Sequence, residues 1–165
     1  MDFGILREIE NVNATRVEAF VEKIRSVLGG LSGRKIALWG LSFKPETDDL
    51  RNAPAVEVAR RLLDEGASVS AHDPAAMPAA KLLLPDVALA GAPNDAARGA
   101  DCVVICTEWS EYAAADLERL RGQMAQPVVV DGRNLFRPDD MAAAGFTYAS
   151  VGRRTVRPAG AEGSG

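Results

Sequence analysis

The residues best suited to chemistry lie in one stretch, Gly40-Leu-Ser-Phe-Lys-Pro-Glu-Thr-Asp-Asp-Leu-Arg-Asn-Ala-Pro54. Two cations, Lys44 and Arg51, bracket the acids Glu46, Asp48 and Asp49. A lysine offers a mobile point charge, and an arginine offers a planar fork that matches phosphate. Both precede Pro54, which suits the first turn of a helix, and a helix N-terminus favours anions by itself. The pattern fits a phosphorylated ligand. It fits equally a solvated loop whose charges pair among themselves. It is not a dinucleotide fingerprint, because Gly-x-Gly-x-x-Gly puts glycines where backbone must approach a pyrophosphate. Here Ser42 and Thr47, or their neighbours, stand in place of the second and third glycines, and the loop is too long for that tight turn.

Other reactive side chains are sparse. Cys102 and Cys106 lie inside the apolar run Asp101-Cys-Val-Val-Ile-Cys106. On a strand both point to one face, and buried strand cysteines act as small hydrophobes. His72 is the single histidine, so a Cys/His zinc site is not expected. Asp73 follows it at a strand end, where dinucleotide folds place a ribose-binding acid. Without the glycine fingerprint, the simpler role for Asp73 is to fix a turn with Pro74. Trp109 ends another apolar run and suits either a cleft wall or a packed loop. Arg133 carries no signal of its own. No residue is read as catalytic.

These side chains need a scaffold. Apolar residues at near-helical spacing predict one long helix over residues 2–28, ended by Gly29 and Gly30. Short apolar runs predict strands at 35–39, 67–71, 87–89, 102–106, 128–130 and 146–148. Helix-like segments at 54–65, 75–84, 93–98, 112–121 and 138–144 alternate with them. Such alternation implies a parallel sheet covered on both faces, and right-handed crossovers make it doubly wound. The predicted fold is α/β: a Rossmann-like sheet of about six strands behind a long N-terminal helix. We divide it into a linking and dimerisation helix (1–30), a Rossmann-like domain (31–153) and a disordered tail (154–165). The helix spreads apolar residues over more than one face, which predicts a homodimer through residues 5–28.

Composition sets the outer limits. The chain has 165 residues, 47% apolar, 25% charged and 5% aromatic, with a formal net charge of −4. A domain of this size buries enough surface to fold without staples. Its net charge gives no drive toward nucleic acid or anionic membranes, so an anionic ligand must be held by a few local cations. No apolar run reaches a membrane span, and Met1-Asp2-Phe3-Gly4 lacks the features of a signal peptide. The expected location is the cytoplasm.

The Phe43-Lys-Pro-x-Thr-Asp-Asp-x-Arg51 run resembles a signature of the UDP-glucose/GDP-mannose dehydrogenase family, in its C-terminal domain. Leu62-Leu-Asp-Glu-Gly-Ala67, His72-Asp-Pro74, Thr107-Glu-Trp109 and Asp131-Gly-Arg133 extend the resemblance, which covers about residues 5–152. It implies part of an enzyme that oxidises a sugar's C6 alcohol to a carboxylate with two NAD⁺. In the family an N-terminal domain holds NAD and a cysteine of a Gly-Gly-Ser-Cys-type motif, and the C-terminal domain holds the UDP part of the sugar nucleotide. Neither the NAD fingerprint nor that cysteine motif occurs in these 165 residues, so the chain reads as one domain cut from, or naturally split from, its partner half. Carried over by position, the resemblance puts Phe43 and Lys44 in the UDP-sugar pocket. It points Arg51 at the NAD pyrophosphate, and sets Arg133 on the UDP-sugar of a neighbouring subunit. UDP-glucose is the expected substrate. GDP-mannose, a UDP-N-acetylhexosamine, or a stand-alone nucleotide-binding or oligomerisation role stay open.

Overall fold

Alternation along the buried strands builds a two-faced sheet. Ile36 and Leu38 of β1 (Lys35–Trp39) point to one face, and Ala37 and Trp39 to the other; all four are fully buried. A computed structural model describes residues 3–42, 44, 45, 47, 48, 50 and 53–158, with side chains from residue 15 onward. The remaining strands are β2 (Ser68–His72), β3 (Ala88–Leu89), β4 (Cys102–Ile105), β5 (Val128–Asp131) and β6 (Thr147–Ser150). They pair in the order β3-β2-β1-β4-β5-β6, every neighbour parallel. The chain switches direction between β1 and β4, so the loops after these two strands diverge and leave a crevice at their carboxyl ends.

Helices cover both faces. α1 (Phe3–Leu28), α2 (Pro54–Asp64) and α3 (Met77–Leu83) lie with Ile36, Leu38, Val69, Val104 and Val130. On the opposite face, α4 (Pro93–Ala97), α5 (Ser110–Ala113), α6 (Leu117–Gln123) and α7 (Pro138–Ala143) enclose Trp39, Val103, Ile105 and Tyr148. The single helix predicted over 112–121 is instead two. Asp116 caps the second by accepting from the Arg119 N–H at 3.1 Å, a start signal that composition alone does not mark.

α1 is 26 residues long, which spans about 39 Å. Val17, Val21, Ile24 and Leu28 form one buried stripe on the side of α2. Glu18 pairs with Arg61, and Arg25 pairs bidentately with Glu65 at 2.9 and 2.7 Å. Lys23 Nζ donates to the Ser150 carbonyl at 2.5 Å. The expected bare apolar face is therefore absent over 17–28: this half of the helix packs into the same core as the sheet, because its apolar residues fall on one side. Val156 lies in the segment expected as a tail. It exchanges two 2.9 Å backbone bonds with Tyr148, which keeps the chain on the sheet edge. No described helix is long and apolar enough to cross a membrane.

Candidate functional site

At the switch point the strand ends frame an open cleft of about 490 Å³, lined by Thr47, Asp48, Pro74, Ala75 and Trp109. Thr47 and Asp48 come from the loop after β1, Pro74 and Ala75 from the loop after β2, and Trp109 from the loop after β4. Trp109 is both packed and a wall: it is 8% exposed, and its indole Nε1 has no hydrogen-bond partner among the described residues. Asp48 brings a negative charge, which suits hydroxyl donors and opposes phosphate.

Three residues shape these walls. Gly40 turns the chain at the end of β1 with φ +95°, and a Cβ there would stand 2.5 Å from Thr107 Cβ. Only glycine tolerates both demands. Thr107 Oγ1 then donates to the Ser42 carbonyl at 2.6 Å. Asp73, fully buried, accepts from the N–H groups of Ala75 (2.9 Å) and Ala76 (2.8 Å) through Oδ1. Through Oδ2 it accepts from the N–H groups of Leu41 (2.8 Å) and Ser42 (3.1 Å) and from Ser42 Oγ (3.2 Å). Burial pushes this carboxyl up, and the four backbone donors outweigh burial, leaving it below its ordinary value. Asp73 therefore fixes its own turn and also ties down the loop after β1.

A second aspartate organises the loop after β5. Asp131 is fully buried and accepts from the N–H groups of Arg133 (2.9 Å), Leu135 (2.7 Å) and Phe136 (3.1 Å). Tyr148 Oη donates to it at 2.6 Å. This loop presents Arg133, whose guanidinium pairs with Glu108 through Nε and, at 3.0 Å, through Nη2. That hydrogen bond holds the Glu108 carboxyl below its ordinary range against its partial burial.

The structure separates the residues singled out in the sequence. Lys44 is exposed, makes no ion pair among the described residues and is not one of the cleft-lining residues. Phe43 and Arg51 lie outside the described residues. Arg133 stands two strands from β1, about 10 Å at normal strand spacing, beside the Trp109 wall through Glu108. Cys102 is buried and Cys106 packs on the same core face. Burial raises both thiols, Cys106 to about 12. His72 is buried, its Nδ1 lying 3.0 Å from Tyr112 Oη, which donates to the His72 carbonyl. Desolvation lowers its pKa, although Glu111 and Asp73 oppose the shift.

The model of the UDP-glucose/GDP-mannose dehydrogenase family, UDP binding domain, matches residues 37–138, which includes every cleft residue, both aspartates and Arg133. The chain belongs to this family. A UDP-glucose 6-dehydrogenase of Rhizobium meliloti is 46% identical over 143 residues, which cover 86% of this chain and 33% of the relative. One from Bacillus subtilis is 41% identical over 161 residues, 97% of this chain and 37% of the relative. Among solved structures, a UDP-glucose dehydrogenase from Pyrobaculum islandicum aligns with TM-score 0.68 at 38% identity, covering 78% of this chain and 28% of that one. An NDP-N-acetyl-D-galactosaminuronic acid dehydrogenase from Methanosarcina mazei aligns with TM-score 0.72 at 29% identity, covering 85% and 29%. The chain thus spans about a third of the curated relatives it matches.

In this UDP-binding domain, Thr47 and Asp48 of the singled-out loop and Trp109 wall the cleft, joined by Pro74 and Ala75, which carry no site role in the sequence reading. His72-Asp-Pro74, Thr107-Glu-Trp109 and Asp131-Gly-Arg133 each close a strand. Their position at strand carboxyl ends was the available signal for Asp73, Glu108 and Asp131. Which atoms those carboxylates serve depends on loops that meet only in three dimensions.

Proposed function

We propose that the chain is the UDP-sugar-binding part of an NAD-dependent UDP-glucose 6-dehydrogenase, which converts UDP-glucose to UDP-glucuronate with two NAD. The observation that carries this reading is the 46% identity to such an enzyme across 86% of the chain. In this reading Phe43 and Lys44 line the sugar-nucleotide site, and Lys44, exposed and without an ion pair among the described residues, supplies charge to the diphosphate. Arg133 reaches the UDP-sugar of a neighbouring subunit once it leaves Glu108. Asp48 accepts from ligand hydroxyls.

By itself the chain binds rather than oxidises. Both of its cysteines are held as thiols by burial, and a thiol is a poor nucleophile. The fit of NAD to this chain is limited. The Leu41 and Ser42 N–H groups, which could cradle a diphosphate, already donate to Asp73. Only Arg51 is assigned toward the NAD pyrophosphate. A homodimer through residues 5–28, now resting on the apolar Ile5, Leu6, Ile9 and Val12 because the apolar residues of 17–28 lie in the core, and a cytoplasmic location complete the proposal; light scattering at tens of micromolar reads the dimer as twice the chain mass.

Calorimetric titration with UDP, UDP-glucose and GDP tests the reading. UDP binds, GDP binds at least about tenfold more weakly, and Lys44→Ala or Arg133→Ala each weakens UDP by about fivefold or more. Equal affinity for GDP would move the assignment to GDP-mannose. Unchanged affinity in both variants would remove the site.

A further inference from the structure

In a sheet of this order, the loop after β1 is where backbone N–H groups hold a ligand's diphosphate. Here that place is taken by the protein. The N–H groups of Leu41 and Ser42 converge on Asp73 Oδ2, and those of Ala75 and Ala76 converge on Oδ1. Five donors, counting Ser42 Oγ, surround a fully buried carboxylate with no cation in contact among the described residues. Every one of them is neutral. Such a ring of oriented N–H dipoles is an anion cradle, and its occupant is a side chain arriving from the neighbouring strand. We propose that Asp73 is a built-in anion: it fills the phosphate cradle of the first loop, and so fixes the position of the Thr47–Asp48 wall and Lys44 for a ligand bound farther out.

Two consequences separate this from an ordinary buried hydrogen bond. The cradle excludes a ligand phosphate from the β1 turn, so the diphosphate must be met by side chains, beyond the turn. The anion is also replaceable in principle. Pro74 and Ala75, next to Asp73, line the open cleft, so a small carboxylate has a route in once the side chain is cut back.

The assignment of Lys44 to a sugar nucleotide rests on the function proposed above; the cradle does not. The experiment is a thermal titration of the 165-residue chain with sodium formate, with sodium chloride as the control for ionic strength. Asp73→Ala melts about 5 °C or more below wild type in chloride, and formate restores at least half of that loss in a saturable way. Wild type gains about 1 °C or less. Asp73→Asn fills the cradle with an amide, so it loses stability and formate does not restore it. In calorimetry, UDP binds Asp73→Ala about tenfold more weakly in chloride, and formate recovers most of the affinity. If Asp73→Ala is unfolded in chloride, refolding driven by formate supports the cradle. Failure to fold in either salt, a melting point that ignores formate, or rescue of Asp73→Asn by formate would overturn it. A wild-type chain that binds no UDP defeats the functional reading, while the formate titration still decides the cradle.

Discussion

The loop after β5 and the loop after β1 are each held by a buried aspartate, yet one is built locally and the other is not. Asp131 gathers the N–H groups of Arg133, Leu135 and Phe136, all within five residues of it. Asp73 gathers Ala75 and Ala76 nearby but reaches back 32 and 31 residues to Leu41 and Ser42. The first loop can organise as soon as β5 is in place. The second needs β1 and β2 already paired. The cations differ in the same sense: Arg133 sits on the self-organised loop and is stored against Glu108, whereas Lys44 sits on the dependent loop and is exposed.

Removing the local anchor has the largest effect. Asp131→Ala leaves three backbone N–H groups without their acceptor and Tyr148 Oη with the Phe136 carbonyl at 3.0 Å, and buried orphans cost about 1–3 kcal/mol each before relaxation. We expect a net loss of about 3 kcal/mol in urea denaturation, with Asp131→Asn milder because one carbonyl oxygen remains. A loss under about 1 kcal/mol would mean that the β5 loop stands without its aspartate.

The next contrast lies between two glycines at strand ends. Gly40→Ala must hold φ +95° and push Thr107, whose Cβ would be 2.5 Å away. Gly132→Ala meets Ile105 O and the tip of the Phe20 ring at 3.0 Å, and that ring can turn aside. Gly40→Ala should lose about 2 kcal/mol, and Gly132→Ala about half of that. Equal losses would show that the Gly40–Thr107 approach is not the tighter constraint.

This contrast also explains what was legible in the sequence. The strands at 35–39, 67–71 and 102–106 were readable within a residue or so, because buried parallel strands are continuous apolar runs. The break between α5 and α6 was not, because alanine-rich composition continues through Ala113, Ala114 and Ala115 while the cap at Asp116 interrupts the helix. The Asp73 turn was readable from Asp-Pro. Its hold on Leu41 and Ser42 was not, since nothing local marks a partner more than 30 residues away. The loop after β1, with Thr47 and Asp48, was singled out from its residues, and a cleft wall was one of the two roles open to Trp109. The share of Pro74 and Ala75 in the lining was not legible, because they come from the loop after β2 and meet the other two loops only in three dimensions.

The smallest predicted effect concerns the stored cation, and it rests on the assignment of Arg133 to the ligand. The Arg133–Glu108 pair is partly exposed, about a third for each side chain, so breaking it should change stability by no more than about 0.5 kcal/mol. Affinity is the more telling readout. If Glu108 holds the place of a ligand phosphate, Glu108→Gln frees the guanidinium and tightens UDP binding by about threefold in calorimetry. The pH dependence follows the same logic. Arg133 holds the Glu108 carboxyl below its ordinary range, so the pair is intact above that range and lost only as pH falls through the lowered value. Wild type should therefore keep its deficit against Glu108→Gln at neutral pH, and the two should converge only in acid. Weaker UDP binding by Glu108→Gln at neutral pH would instead make Glu108 a ligand contact, and the difference between the stored Arg133 and the exposed Lys44 would then lose its meaning.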